Sequence, residues 1–275
     1  MNKLRIGLGQ INTRTNVDEN FKVINKIVSE CSQQGAEMVI FPECSTYLSQ
    51  KGAIENAQFL NGTIIDKFKS LAKEYNVYIH NGSYIEKDEN SDKAFNTSVL
   101  INPKGEIEAT YRKIHLYDVD MGENLVYKES NIFNRGDSIV NISNELGDFG
   151  MTICYDLRFP ELFRKLTLNG AKLIFVPAAF TVHTGKDHWE ALLKARAIEN
   201  QIYIVAVGQI GERADKKVSF GNSMVIDPWG TVIAKASERV CSTVVDVDWD
   251  YLEHTRKILP SLNNRVDIDK LKTVK

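Results

Sequence analysis

Cysteine is scarce in this chain and scattered along it. Cys31, Cys44, Cys154 and Cys241 are the only four among 275 residues, and no two form a CxxC pair. That spacing argues against a disulfide framework and a zinc site, and free thiols in a chain this long fit a reducing, cytoplasmic compartment. Charge of one sign is also missing as a block. The net charge is −2, and basic pairs such as Arg112-Lys113 and Lys216-Lys217 do not extend into a stripe, so nucleic-acid binding has no electrostatic footprint. No apolar window approaches a membrane span, and the strand-like start from Met1 to Leu8 lacks the apolar core of a signal peptide. What remains is ordinary globular material, 43% hydrophobic and 25% charged, with ample means to build a core. We read residues 1–275 as a single domain whose tail, from about Tyr251, turns polar and lies over the surface or a partner subunit.

The chain repeats its own pattern. Gly35-Ala36-Glu37-Met38-Val39-Ile40-Phe41-Pro42-Glu43 resembles Gly170-Ala171-Lys172-Leu173-Ile174-Phe175-Val176-Pro177-Ala178. Asn76-Val77-Tyr78-Ile79 matches Gln201-Ile202-Tyr203-Ile204, and Asn102-Pro103-Lys104-Gly105 matches Asp227-Pro228-Trp229-Gly230. Each unit reads as helix, glycine stop, buried strand ending in proline, second helix, buried strand, then a hairpin at Pro-x-Gly. Phe21, Ile24, Ile27, Val28 and Cys31 mark one helical face, and Ile65, Phe68, Leu71, Ala72 and Tyr75 another. Met38–Phe41 and Leu173–Val176 are apolar throughout, as strands covered on both faces are. Two such halves predict an α/β fold, a four-layer α-β-β-α sandwich with two sheets packed face to face and helices outside.

Residues Gly150 to Leu162 carry the chemistry. An apolar β-rich run ends at Cys154, a short polar turn follows, and Pro160-Glu161-Leu162 open a helix, proline suiting its first turn and an acid its positive end. A thiol at such an elbow has the following backbone N–H groups aimed at whatever it attacks, which suits a nucleophile with an oxyanion hole. A free cysteine is also a common small core residue, so the elbow alone leaves both readings open. Three further features bear on it. Glu43 ends a strand in one half where the other half has Ala178, and ligands bind beyond strand ends in α/β folds. Lys113 stands in the apolar and aromatic run Tyr111 to Leu116, just after a strand. Glu129 lies near the end of a glycine-containing loop, Met121 to Ser130. Two other site types compete. A Cys–His pair would use His115 or His188 with Cys154, without the local signature of such enzymes. His183 and His188, five apart with no third ligand, fall short of a zinc pattern.

Taken together, Phe41-Pro42-Glu43, Tyr111-Arg112-Lys113-Ile114-His115-Leu116, the run from Ile153 to Glu161 and Asp227-Pro228-Trp229-Gly230 resemble the nitrilase superfamily of carbon–nitrogen hydrolases, over nearly the whole chain from Gln10 to about Arg265. The resemblance implies a nitrilase-like four-layer sandwich, assembly at least to a homodimer, and a Glu43–Lys113–Cys154 site with no metal or organic cofactor. It also implies Glu129 as an additional site glutamate and a small-molecule amide as substrate. On that reading Cys154 is a nucleophile partly ionised near neutrality. Glu43 serves as its base, and Lys113 and the Tyr155 N–H serve as oxyanion donors. Thr184-Gly185, His188-Trp189-Glu190 and Ala195 to Glu199 look like the small amidase branch, either deaminated glutathione amidases or ω-amidases acting on α-ketoglutaramate. Gln209 to Met224 leans toward the former. Arg158 is the candidate anchor for an anionic acyl part, an ion pair with Glu161 being the alternative. Phe180 and His188 are expected to shape the pocket from a loop that opens a helix at His188. Lys186-Asp187 departs from both subgroups. A catalytically silent interaction protein on the same fold is the remaining alternative.

Overall fold

The computed structural model describes residues 2–120, 122 and 126–273. The first half runs β1 (Lys3–Gln10), α1 (Val17–Gln33), β2 (Met38–Ile40), α2 (Thr63–Tyr75), β3 (Tyr78–His80), β4 (Tyr84–Lys87), β5 (Ala94–Ile101) and β6 (Ile107–Arg112). An antiparallel pair, β7 (Asp118–Asp120) and β8 (Val126–Lys128), precedes the second half. That half contains β9 (Asn141–Asn144), β10 (Gly147–Met151), α3 (Pro160–Leu168), β11 (Leu173–Ala178), α4 (Val182–Asn200) and β12 (Tyr203–Gly208). It continues through β13 (Ile210–Glu212), β14 (Val218–Phe220), β15 (Met224–Ile226) and β16 (Val232–Lys235). Finally come β17 (Cys241–Asp248) and α5 (Trp249–Ile258).

The two halves build two sheets of matching order. One runs β17-β1-β2-β3-β5-β4, with β6 also on β5; the other runs β16-β15-β12-β11-β10-β9. β1, β2 and β3 are parallel, as are β10, β11 and β12. Strand period 2 then sorts the side chains. Leu4, Ile6, Leu8, Met38 and Ile40 of the first sheet meet Phe149, Leu173, Phe175, Tyr203 and Val205 of the second in one buried cluster. Their neighbours Val39 and Phe41 face α1 and α2, while Ile174, Val176, Ile204 and Ala206 face α3 and α4. Four layers result, as the repeat predicts. Glycine allows the closest approach: a Cβ on Gly7 of β1 would stand 2.6 Å from the Cys31 sulfur on α1. α1 itself starts where Asn16 accepts the N–H groups of Asp18 and Glu19, an N-cap with acids in the first turn.

Three expectations change. The described part of the interval Met121–Ser130 is Gly122 in a bend, strand β8 and a 3-10 turn from Glu129, with Met121 and residues 123–125 outside the described residues. α4 begins at Val182, so His188 sits well inside a helix and does not open one. The tail is only partly a surface strap, because α5 docks Trp249 and Leu252 into the central cluster and leaves 260–273 mostly exposed. β17 pairs with all of β1, Lys3↔Asp248 through Gln10↔Cys241, so the end of the chain completes the sheet that its beginning starts.

Candidate active site

Glu43, Cys154 and Ala179 follow the C-terminal ends of β2, β10 and β11, and Lys113 follows β6. The topology brings all four together. Cys154 lies three residues past β10, at the start of a 3-10 turn (Cys154–Arg158), and adopts φ +50°. A left-handed conformation costs a non-glycine residue about 1–2 kcal/mol, so the surroundings hold it there. Asp156 does much of the holding. Its fully buried carboxylate accepts the Ile153 N–H at 2.8 Å, the Tyr111 hydroxyl at 2.7 Å and the His115 N–H at 3.1 Å, tying the cysteine elbow to the lysine segment. Pro160 at the head of α3 then turns the chain away.

The polar centre is a buried charge cluster. Lys113 Nζ, on a side chain 1% exposed, lies 2.9 Å from Glu43 Oε1 and 2.8 Å from Glu129 Oε2. Asn96 Nδ2 donates to Glu43 Oε1 at 2.9 Å, and the Tyr117 N–H donates to Glu129 Oε2 at 2.8 Å. Burial alone would raise the Glu43 carboxyl, but the Lys113 charge and hydrogen bonds from Cys154, Lys113 and Asn96 outweigh it and hold it low. Glu129 goes the other way. Burial and the neighbouring Glu43 charge raise it above the ordinary carboxylate range despite Lys113. Burial would lower Lys113, and the two glutamates instead lift it well above the usual lysine value, so it is an ammonium.

Cys154 sulfur is within hydrogen-bond reach of Glu43 and of the Ala179 N–H. Burial, then the Glu43 charge, raises this thiol well above its ordinary value, and Lys113 offsets only part of that. Partial ionisation near neutrality, expected from the nearby cation, is therefore corrected: the resting group is a thiol beside the Glu43 carboxylate. The Tyr155 N–H donates to no backbone carbonyl among the described residues.

Glu43, Glu129, Cys154, Tyr155, Arg158 and Phe180 line one cavity, with Tyr47, Tyr117, Tyr127, Phe133, Thr184 and Arg213 completing much of its wall. Lys113 sits behind its carboxylates. Arg158 lies over the Tyr155 and Phe180 rings, 5.9 and 5.4 Å from their centroids, and no ion pair with Glu161 forms among the described residues. His188 is exposed and outside this wall, reaching it only through Arg158 Nη1 at 3.3 Å. A Cys–His pair has no support, because His115 Nδ1 is bound to Asp156 at 2.7 Å and its ring stacks on Phe159. Among the described residues no cluster of three His, Cys, Asp or Glu is arranged to hold a metal ion. Reading the sequence missed Asn96, Asp156 and Arg213 as site residues. Asp156 and Arg213 had a signal, since Asp156 lies inside the cysteine motif and Arg213 inside the Gln209 to Met224 segment.

A thiol facing a carboxylate, a fixed ammonium and a free backbone N–H can attack a carbonyl carbon and hold the resulting oxyanion. Comparison with known proteins agrees with that class. Residues 5–257 match the model of the carbon–nitrogen hydrolase family. A deaminated glutathione amidase of Dictyostelium discoideum is 38% identical over 276 residues, covering 96% of this chain and 95% of that protein. Among solved structures, Caenorhabditis elegans NitFhit superposes with TM-score 0.91 at 32% identity over 98% of this chain, which spans 66% of the NitFhit chain. Saccharomyces cerevisiae Nit3, a member of branch 10 of the nitrilase superfamily, gives 0.86 at 26% identity over 94% of both chains. The chain belongs to the carbon–nitrogen hydrolase family. It has the nitrilase-like fold and is a hydrolase of amide carbon–nitrogen bonds.

Proposed function

We propose that residues 1–275 form one catalytic unit in which Cys154 attacks an amide carbonyl. Glu43 takes the thiol proton as the carbon–sulfur bond forms, and passes it to the amine as the carbon–nitrogen bond breaks. The Lys113 ammonium, which donates to Glu43 Oε1 and to both Glu129 oxygens at rest, and the Tyr155 N–H hold the oxyanion. Glu43 then takes a proton from water, the hydroxyl adds to the thioester carbon, and as the carbon–sulfur bond breaks Glu43 gives that proton back to sulfur. Glu129 keeps Lys113 in place. The observation that carries this reading is the Lys113 ammonium clamped between Glu43 and Glu129 with the Cys154 thiol on Glu43, all at one cavity.

The substrate we assign is deaminated glutathione, the compound named for the Dictyostelium relative, with Arg158 on the carboxylate of its keto-acyl end. Release of cysteinylglycine by the purified protein tests this directly. A kcat/KM for α-ketoglutaramate exceeding that for deaminated glutathione tenfold, about 1.4 kcal/mol of transition-state discrimination, would reverse the assignment to an ω-amidase.

The four unpaired cysteines support a cytoplasmic location. We also propose a homodimer. Leu162, Phe163 and Leu166 of α3 are buried in the chain's own core and offer no face to a partner. The exposed apolar groups include Leu168 at the end of α3 and Ile258, Leu259, Val266, Ile268 and Leu271 toward the end of the chain. Light scattering that gives a monomer at micromolar concentration would remove this assembly.

A further inference from the structure

Two cations of the cavity wall stand outside the ion pairs that its carboxylates make. Lys113 is matched by Glu43 and Glu129, and Asp215, also in the wall, faces Lys217 at 3.9 Å. Arg158 and Arg213 remain, and among the described residues neither has a carboxylate within ion-pairing distance. Arg213 is the more telling of the two. It is only 8% exposed. Its Nε donates to Ser219 Oγ at 2.8 Å, and its Nη2 donates to the Ala179 carbonyl, whose own residue turns its N–H toward the Cys154 sulfur. Both acceptors are neutral. Three of its five N–H donors make no hydrogen bond among the described residues. A nearly buried guanidinium without a counter-charge is unfavourable until an anion completes it, and a planar fork is the group best shaped to receive a carboxylate.

A trans amide places its acyl and amine substituents on opposite sides of the carbonyl that the thiol attacks. One cation cannot serve anions at both ends. We propose that Arg213 binds a carboxylate on the amine side of the scissile amide, leaving Arg158 for the acyl side, so that the enzyme selects amides anionic at both ends. This rests on the amidase reading above and deepens it. Deaminated glutathione carries such a second carboxylate on its glycine, whereas α-ketoglutaramate ends in NH2.

Calorimetric binding to the Cys154→Ala protein tests the assignment apart from turnover. The probes are deaminated glutathione, the analogue with its glycine carboxylate capped as the amide, and the analogue with its keto-acid carboxylate capped. The Cys154→Ala protein should bind the parent about 10- to 100-fold more tightly than the glycine-capped analogue, the scale of one charge-assisted pair. Adding Arg213→Gln should erase that preference while changing affinity for the glycine-capped analogue less than twofold, and Arg213→Lys should restore part of it. The keto-acid cap should matter equally with and without Arg213. Three results would overturn the proposal: no discrimination by Cys154→Ala itself, equal weakening of all three probes by Arg213→Gln, or sensitivity to the keto-acid cap alone. If Arg213→Gln does not fold, the parent discrimination and Arg213→Lys still decide. Turnover by the unmodified enzyme is read separately, and hydrolysis of neither deaminated glutathione nor α-ketoglutaramate would sink the amidase reading without touching the binding result.

Discussion

Strands β2 and β11 hold equivalent places in the two halves, yet they end differently. β11 stays in its sheet through Ala178, paired with β12 as far as Gly208. β2 leaves after Ile40, where its ladder with β3 stops at His80. Beyond that point the first half is held by irregular contacts: Cys44 N–H to Ser83 Oγ at 2.8 Å, Ser45 N–H to the Ser83 carbonyl at 2.9 Å, and Cys44 at φ +53°. The chain at Gly82 passes so near that a Cβ there would stand 1.9 Å from the Pro42 carbonyl oxygen. The regular half presents a backbone N–H, that of Ala179, to the sulfur; the irregular half presents a carboxylate. The halves therefore share a scaffold and divide the site, with Glu43 and Lys113 from the first and Cys154 and Tyr155 from the second. Gln209 spans the division, accepting the Thr13 N–H at 2.9 Å and donating to the Glu43 carbonyl at 2.9 Å.

Removing the second half's reactive atom should have the largest effect. Cys154→Ala is expected to lose at least about 10⁴-fold in kcat, on the precedent of nucleophile deletions, with an unchanged circular dichroism spectrum. Amide turnover above a few per cent of the parent would show that the thiol is not the nucleophile. Removing the first half's cation comes next. Lys113→Ala should lower kcat about 10²–10³-fold at saturating substrate, the usual cost of one oxyanion donor. It should also destabilise the fold by about 3–5 kcal/mol, because Glu43 and Glu129 are left buried without their partner. The sign with pH follows from the shift. The folded Lys113 holds its proton above the unfolded lysine value, so its stabilisation is complete below that value and is lost as pH rises through the folded one. Denaturant titration at alkaline pH should show this fall in the parent and not in Lys113→Ala.

The break in the first half's ladder should be less tolerant than the regular half. Gly82→Ala is expected to cost more than about 3 kcal/mol, combining a backbone clash with a left-handed φ of +77°. Ala178→Gly, in the ordered strand, should cost about 1 kcal/mol. Equal melting shifts for the two would mean that the turn at Glu43 relaxes freely.

The contrast between the halves also marks what could be read from the chain. Helix faces, the Pro-x-Gly hairpins and the Glu43–Lys113–Cys154 motifs announce themselves locally, through period and turn chemistry. The contacts of Asn96 with Glu43, of Gln209 with Thr13 and Glu43, and of Arg213 with Ala179 do not, because only the fold brings those distant partners close. His188 was misplaced for a related reason: α4 begins at Val182 with no side-chain cap hydrogen bond to mark its start. The protonation of Cys154 was misjudged because a nearby lysine is visible in a motif and the burial and the glutamate charge that outweigh it are not.

The smallest expected effect tests whether the halves differ even where their backbones agree. α2 and α4 both end on a left-handed residue, Asn76 at φ +51° and Gln201 at φ +50°, the positions that the internal repeat aligns. Glycine is the favoured residue at such a cap, since it has no Cβ to crowd the preceding turn. Asn76 is exposed and its side chain makes no hydrogen bond among the described residues, so Asn76→Gly should be neutral or stabilise by up to about 1 kcal/mol. Gln201 gains the same backbone relief but is 1% exposed, and its Nε2 donates to the Leu259 carbonyl at 2.5 Å, beside the Arg256 Nε that donates to the Gln201 carbonyl at 3.1 Å. Gln201→Gly should therefore destabilise by about 1–2 kcal/mol net, through a lost buried hydrogen bond and lost packing. Hydrogen exchange should show faster opening of α5 in that variant only. If both glycine variants shifted the melting temperature upward alike, the second half's cap would be no tether for the end of the chain, and the difference between the halves would be confined to the site.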